Sequence, residues 1–193
     1  MLVSGVACDK NTARIAVIGL QDQPGVAFKL FNHLANHNNN VDVILQSVGR
    51  DGTKDISFTV AKDDVEETLA TLERHRNTSL ICDKVDVDRN VAKVSVVGAG
   101  MISNPGVAAT MFEAMFNENI NIKMISTSEI RITVIIDETE ADRAVKAVAP
   151  CAQASIQSKH TTQRVGSMRC AAVSIHSPLH LRPHNPQSTH FEV

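Results

Sequence analysis

The chain has 193 residues, of which 43% are hydrophobic and 21% are charged, so it can bury a core and is not disordered throughout. Its formal net charge is −2, and only 3% of its residues are aromatic, with no Trp and no Tyr. These values exclude an overall basic surface for nucleic acid or an anionic membrane, and they argue against recognition by base stacking.

The chain contains an internal repeat. Residues 22–31 (DQPGVAFKLF) match residues 103–112 (SNPGVAATMF), and residues 13–19 (ARIAVIG) match residues 92–98 (AKVSVVG). The insertions that separate the two copies fall between predicted elements, as they do in a duplicated domain.

The first copy has the element order β-α-β-β-α-β. A β-branched strand at residues 14–20 precedes a helix opened by Pro24 and Gly25, with Pro24 predicted at the first helical position. The later elements are a strand at residues 41–48, a hairpin turn at Asp51-Gly52, a strand at 55–61, a helix from Asp63 and a strand at 80–87. This order is typical of the ferredoxin-like fold, in which two helices cover one face of a four-stranded antiparallel sheet.

The second copy repeats this order but lacks a closing strand. Its elements are a strand at residues 93–98, a helix at 105–118, strands at 121–127 and 129–137, and a helix at 140–148. Residues 2–8 are predicted to supply the missing strand, which makes the first copy an insertion within the second.

The predicted fold class is therefore α+β, with two ferredoxin-like domains. Residues 1–10 form an N-terminal strand that completes the second domain, residues 11–88 are repeat 1, and residues 89–149 are repeat 2. Histidine and proline accumulate in residues 150–193, which we expect to form an irregular, mostly disordered tail.

The sequence offers no catalytic, cofactor or metal motif. It contains no phosphate-binding glycine loop, no HExxH and no GxSxG, so we expect neither catalysis nor a bound cofactor. His33 and His37 have the spacing of two metal ligands on a helix but lie opposite its apolar stripe, which favours a solvated surface over a metal site. The four cysteines form no CxxC pair, and no signal sequence or membrane-length apolar run is present, so we expect a cytoplasmic protein with reduced thiols.

The turn before the first helix is the candidate ligand site. Gly25 allows a ligand to approach the backbone, and the N–H groups of Gly25, Val26 and Ala27 lie at the positive end of the helix dipole, where a carboxylate is favoured. Asp22 stands just before the turn and could pair with an ammonium group, so the combination predicts an amino acid as ligand. The alternative is that Asp22 only caps the helix. Ser103 replaces it in repeat 2, where we expect different binding or none.

These motifs carry a resemblance to a known family. Residues 13–19, 22–27, 41–46 (VDVILQ) and 55–60 (DISFTV) resemble the first ACT domain of an aspartate kinase. Residues 91–98, 105–108, 120–122 and 124–130 (MISTSEI) resemble its second ACT domain. The resemblance covers residues 3–148, and either a shifted reading frame or a genuine extension would explain the remaining tail.

The resemblance implies the amino-acid-binding regulatory part, or β subunit, of aspartate kinase, which senses lysine, threonine or both for feedback control of lysine and threonine biosynthesis. It further implies a homodimer formed through the ACT domains, with the effector held at the seams, and a catalytic aspartate kinase subunit as partner. One side of the effector pocket would be lined by Asp22, Gly25, Val26, Ala27 and Gln46, and the other by Asn121, Ile122, Ser126 and Thr127.

The resemblance also sets limits on activity. The kinase domain, which would bind ATP and Mg, is absent from the sequence, so the chain is not expected to catalyse alone. The remaining alternative is an ACT-domain regulatory subunit of another amino-acid biosynthetic enzyme. An RNA-binding or copper-binding module is disfavoured, because sheet-face aromatics and a CxxC are both missing.

Overall fold

The computed structural model describes residues 4–49, 52–76, 78–98 and 106–157. The strands are β1 Gly5–Gln21, β2 Ile44–Val48, β3 Thr53–Val60, β4 Lys84–Val97, β5 Ile122–Thr127 and β6 Arg131–Asp137. The helices are α1 Val26–Asn36, α2 Val65–His75, α3 Val107–Asn117 and α4 Ala141–Gln157, and single 3₁₀ turns at Lys62–Asp64 and Glu138–Glu140 precede α2 and α4. Within these ranges no helix combines the length and the apolar character that a membrane span requires.

All six strands form one antiparallel sheet in the order β2-β3-β1-β4-β6-β5. The second half of β1 pairs with β3, where Ala13 lies opposite Val60. The first half of β1 pairs with the second half of β4, where Gly5 lies opposite Val97. The N-terminal segment therefore forms an edge of the repeat 2 sheet, as the repeat pattern suggested.

β1 and β4 are longer than predicted. Gly5–Gln21 joins the strand expected at residues 14–20 to the one expected at 2–8, of which residues 2 and 3 lie outside the described part of the chain, as one strand of 17 residues. Lys84–Val97 joins the strands expected at 80–87 and 93–98 as one strand of 14 residues, and it begins four residues later than predicted. The intervening segments, residues 9–12 (DKNT) and 88–91 (DRNV), contain no Gly or Pro, so each strand continues through them. The pairing of β1 with β4 shifts register between Asp9 and Arg14, as at a β-bulge.

Each pair of helices covers one face of its half of the sheet, as predicted for the ferredoxin-like fold. In repeat 1, Leu30 and Leu34 of α1 pack with Ile15 and Phe58 in a buried cluster. In repeat 2, the corresponding cluster contains residues of α3, α4, β4 and β6, namely Met111, Met115, Ala144, Val148, Val94, Val96, Ile132 and Val134.

A third buried cluster joins the two repeats. Val43, which precedes β2, is buried together with Val91, Met124 and Ile135. Ile135 alternates along β6 with the core residues Val134 and Ile136, so the third cluster lies on the sheet face opposite the helices.

The C-terminal tail begins later than predicted. α4 runs through Pro150 to Gln157, so the prediction of irregular chain is wrong for residues 150–157. Residues 151–154 (CAQA) include good helix formers, so the helix resumes after the one hydrogen bond that Pro150 cannot donate. Residues 158–193 lie outside the described part of the chain, and the predicted boundaries at residues 10, 88 and 149 fall inside β1, β4 and α4.

The pairing of β1 predicts which repeat the N-terminal strand stabilises. Val6 packs against the repeat 2 core, whereas its neighbour Ala7 is exposed. We expect Val6→Asp to reduce the free energy of unfolding by about 1–3 kcal/mol, because it places a charge against apolar side chains, and Ala7→Asp to change it much less. Segment-resolved hydrogen exchange should show protection lost mainly in β6. Greater loss in β3 would contradict this assignment.

Candidate functional site

The turn before α1 depends on a left-handed glycine. Gly25 has φ of +90° and is the N-cap of α1, and the equivalent Gly106 has φ of +104° before α3. A Cβ at Gly25 would meet no atom within 4 Å, so the backbone conformation rather than crowding favours glycine there. Because this conformation is not helical, α1 begins at Val26, and the prediction of Pro24 as its first residue is wrong.

Asp22 does not cap the helix. α1 has no side-chain cap, and the Val26 N–H instead donates to the Gln23 carbonyl oxygen at 3.2 Å. The Asp22 carboxylate lies 2.8 Å from the Lys54 ammonium of β3, and its side chain is 49% exposed. Asp22 is therefore a half-exposed carboxylate already engaged with one ammonium group beside the turn.

A small cavity of about 110 Å³ adjoins the turn. It is lined by Gln21, Gln23, Pro24, Val26, Lys29, Thr78, Ser79 and Ile81. Among the predicted site residues only Val26 belongs to this set. Residues 78–81 follow α2 and reach the cavity through the packing of α2 beside α1, so no local signal in the sequence could have identified them.

The two predicted halves of the effector pocket lie apart. Asp22, Gly25, Val26 and Ala27 surround the turn in repeat 1, and Gln46 is exposed on β2, at one edge of the sheet. The other set belongs to the opposite edge: Asn121 precedes β5, and Ile122, Ser126 and Thr127 are β5 residues. One chain does not bring these two sets together.

Both sheet edges expose apolar side chains. Every residue of β2 is exposed, including Ile44, Leu45 and Val48, the last with 85% of its surface accessible. At the other edge Ile125 of β5 is 41% exposed. An exposed apolar edge strand offers unpaired backbone groups to another chain.

His33 and His37 are both half-buried, so the helix face that carries them is less solvated than predicted. The His33 ring stacks on His75 of α2 with a centroid separation of 3.6 Å, and its Nε2 lies 2.8 Å from the Ser79 hydroxyl. Burial and the neighbouring charges of His75 and His37 lower the pKa of His33. No group of three metal-ligating side chains occurs in the described ranges, and the packing of α1 on α2 explains this cluster.

A larger cleft of about 490 Å³ lies where the two repeats meet. Its lining includes Asp9, Asp42 and Lys93, and the Lys93 ammonium pairs with Asp42 and lies 3.3 Å from Asp9. Partial burial opposes the charge on Lys93, but the hydrogen bonds and negative charges of Asp42 and Asp9 outweigh it and raise the pKa of Lys93. We call these three residues the Lys93 cluster.

A second ionic cluster joins β5 to the middle of β4. The Lys123 ammonium lies 2.8 Å from Asp88 and 3.5 Å from Asp137. Burial alone would raise the pKa of Asp88, but hydrogen bonds from Lys123 and the Asn90 N–H, with the charge of Lys123, hold that pKa below its usual value. We call Asp88, Lys123 and Asp137 the Lys123 cluster.

Comparison with known proteins identifies similar sequences and structures. Residues 15–75 and 94–150 match the model of the ACT domain. An aspartokinase of Helicobacter pylori is 48% identical over 145 residues, which cover 75% of this chain and 35% of that relative. The chain therefore spans about a third of the length of the curated relatives it matches.

Two solved structures match most of their own length. The structure of aspartokinase alpha and beta subunits has a chain 44% identical, with a TM-score of 0.72 and coverage of 78% of this chain and 99% of that one. The ligand-free regulatory subunit of aspartate kinase from Thermus thermophilus is 42% identical, with a TM-score of 0.71 and coverage of 77% and 97%.

The lowered pKa of Asp88 predicts a pH dependence. Its contribution to stability is present above the carboxyl's unfolded pKa, near 4, and is lost as the pH falls through the lower folded value. We expect Asp88→Asn to lower the free energy of unfolding at pH 7 by up to about 1 kcal/mol, a small effect because the Asp88–Lys123 pair is partly solvated. The difference should shrink in acid, because the wild-type carboxylate then becomes protonated. Denaturant titrations from pH 7 to pH 2 would measure this difference.

The control is Asp63→Asn, which removes an exposed carboxylate from a 3₁₀ turn. Its effect should be small at every pH. An Asp88→Asn effect that is equally large at pH 7 and pH 2 would refute the role of the ionised carboxylate.

Proposed function

This chain belongs to the regulatory ACT-domain part of the aspartate kinases, and from this premise we propose that it binds lysine or threonine as a feedback effector. The support is the turn at residues 22–27. It combines a helix N-terminus without a side-chain cap, an open approach over Gly25 and the carboxylate of Asp22. A helix N-terminus favours a carboxylate and Asp22 favours an ammonium group, and an amino acid carries both.

The full effector pocket that we propose lies between two chains. Asp22, Gly25, Val26, Ala27 and Gln46 of one chain would face Asn121, Ile122, Ser126 and Thr127 of a second copy. Two observations favour this homodimer: Gln46 and the second set lie at opposite edges of one sheet, and both edges expose apolar side chains. A second chain would cover these edges and complete both pockets.

Effector binding is tested by thermal unfolding with threonine and with lysine. A ligand that binds only the folded state at 100 times its Kd stabilises it by about 2.7 kcal/mol, so one of the two amino acids should raise the Tm. Asp22→Ala should abolish this increase, because the ammonium loses its partner, whereas Ser103→Ala should affect it much less.

Lys54→Met is the matched control for Asp22→Ala. It breaks the same ion pair but leaves the Asp22 carboxylate in place, so the ligand-dependent increase in Tm should persist. Loss of the increase in Lys54→Met and Asp22→Ala alike would mean that the ion pair, not the carboxylate, matters. No increase with either amino acid in the wild-type chain would refute effector binding.

We further propose that the chain acts on a catalytic aspartate kinase subunit, which would hold ATP and Mg. Mixed with that subunit, aspartate, ATP and Mg, the chain should make ADP release sensitive to threonine or lysine. Asp22→Ala should remove this sensitivity without changing the uninhibited rate. If ADP release stays insensitive although the chain binds an amino acid, the alternative of regulating another amino-acid biosynthetic enzyme is favoured.

A further inference from the structure

The same position in each repeat forms an ion pair with the half of β4 that belongs to the other repeat. Asp42 precedes β2 in repeat 1, and it pairs with Lys93 in the repeat 2 half of β4. Lys123 of β5 in repeat 2 pairs with Asp88 in the repeat 1 half of β4. Asp42 and Lys123 are equivalent, because both lie 18 residues after Pro24 and Pro105, respectively, in the repeated motif (24 to 42 and 105 to 123).

The residues that follow are equivalent as well, and both are buried. Val43 and Met124 lie in the third cluster with Val91 and Ile135, and they are 8% and 4% exposed. Each charged residue is thus followed by an apolar side chain packed between the repeats. Because the four side chains form one close-packed cluster, displacement of Val43 would strain the packing around Met124.

These anchored segments adjoin the proposed effector residues. Asn121 and Ile122 directly precede Lys123, and Gln46 lies on the strand that Asp42 and Val43 lead into. The backbone of this leading segment is also held, since the Asp42 and Val43 N–H groups donate to the carbonyl and hydroxyl oxygens of Thr59. The edge strands β2 and β5 are therefore joined directly to the third buried cluster by residues 42–43 and 123–124, so a displacement of either edge strand would act on that cluster.

Each chain carries two half-sites, which are the turn at residues 22–27 with Gln46 and the residues of the opposite set on and before β5; a seam is the place where a half-site of one chain meets the other half-site of its partner. We propose that the Lys93 cluster and the Lys123 cluster couple the two effector half-sites of one chain, so that binding at one seam favours binding at the other. The inference rests on the proposed function, in which each chain contributes one half-site to each of two seams. Effector binding at the first seam shifts its anchored segment, and the shared buried cluster transmits this shift to the equivalent segment at the second seam. Lys93 and Lys123 are positioning residues, since neither belongs to the proposed effector pocket.

The test is calorimetric titration of the wild-type dimer with threonine and, separately, with lysine. We expect the second site to bind about fivefold more tightly than the first after statistical correction, which is the lower end of the usual range of allosteric coupling. Lys93→Met and Lys123→Met should each bring this ratio close to one, and Lys93→Arg should preserve it. Asp42→Asn removes one partner of Lys93 but leaves Asp9, so it provides a milder variant should Lys93→Met fold poorly.

Lys62→Met is the matched control. Lys62 also bridges the repeats, through a 2.7 Å ion pair with Glu138, but it lies on a 3₁₀ turn and not on a segment leading into β2 or β5. It should leave the ratio unchanged even if it lowers stability as much as Lys93→Met does.

The outcomes separate this inference from the proposed function. If the ratio of second-site to first-site affinity is the same in the wild type, Lys93→Met and Lys123→Met, the coupling role is overturned and effector binding still stands. Equal loss of the ratio in Lys62→Met would also overturn it, because any bridge between the repeats would then suffice. Absence of binding to the wild-type chain overturns the proposed function and the inference together.

Discussion

The antiparallel pairing of β1 with β4 is the contact on which both repeats depend. It extends from Gly5 opposite Val97 to Ile18 opposite Lys84. Each strand contributes one half to each repeat, so neither repeat has a complete four-stranded sheet of its own. Removing either strand would leave rows of backbone N–H and C=O groups without partners in both repeats, at a cost that few side-chain contacts could offset.

Placing the long strands at the centre determines where the other functional features lie. Because β1 and β4 are central, β2 and β5 become the two outer edges of the sheet. The apolar side chains left exposed on these edges and the separation of Gln46 from the residues of β5 are therefore two results of one topology. A second chain at the edges would cover the exposed apolar side chains and bring the separated residues together, which is why our proposal links effector binding to dimer formation.

The charged residues in the middle of the long strands specify how the repeats face each other. Each ion pair of this partly exposed kind contributes little to stability by itself. Lys93 and Asp88 nonetheless select which segment of the opposite repeat lies against them, because an unpaired and partly buried charge would be costly. Val43 and Met124, which follow the charged residues Asp42 and Lys123, are buried in one cluster and hold the two repeats in this arrangement.

The sequence by itself determined the repeat, the element order of each copy and the assignment of an N-terminal strand, predicted at residues 2–8, to the repeat 2 sheet. It did so because hydrophobic periodicity and turn residues act locally and recur at the same spacing in both copies. Tertiary structure decided that separate strands merge into β1 and β4, since continuity depends on a partner strand being available across the whole length. It also decided that His33 stacks on His75, that Asp22 pairs with Lys54, and that Gln46 and Thr127 lie at opposite edges. Each of these contacts joins residues distant in the chain, and local patterns carry no information about which distant segment will be the neighbour.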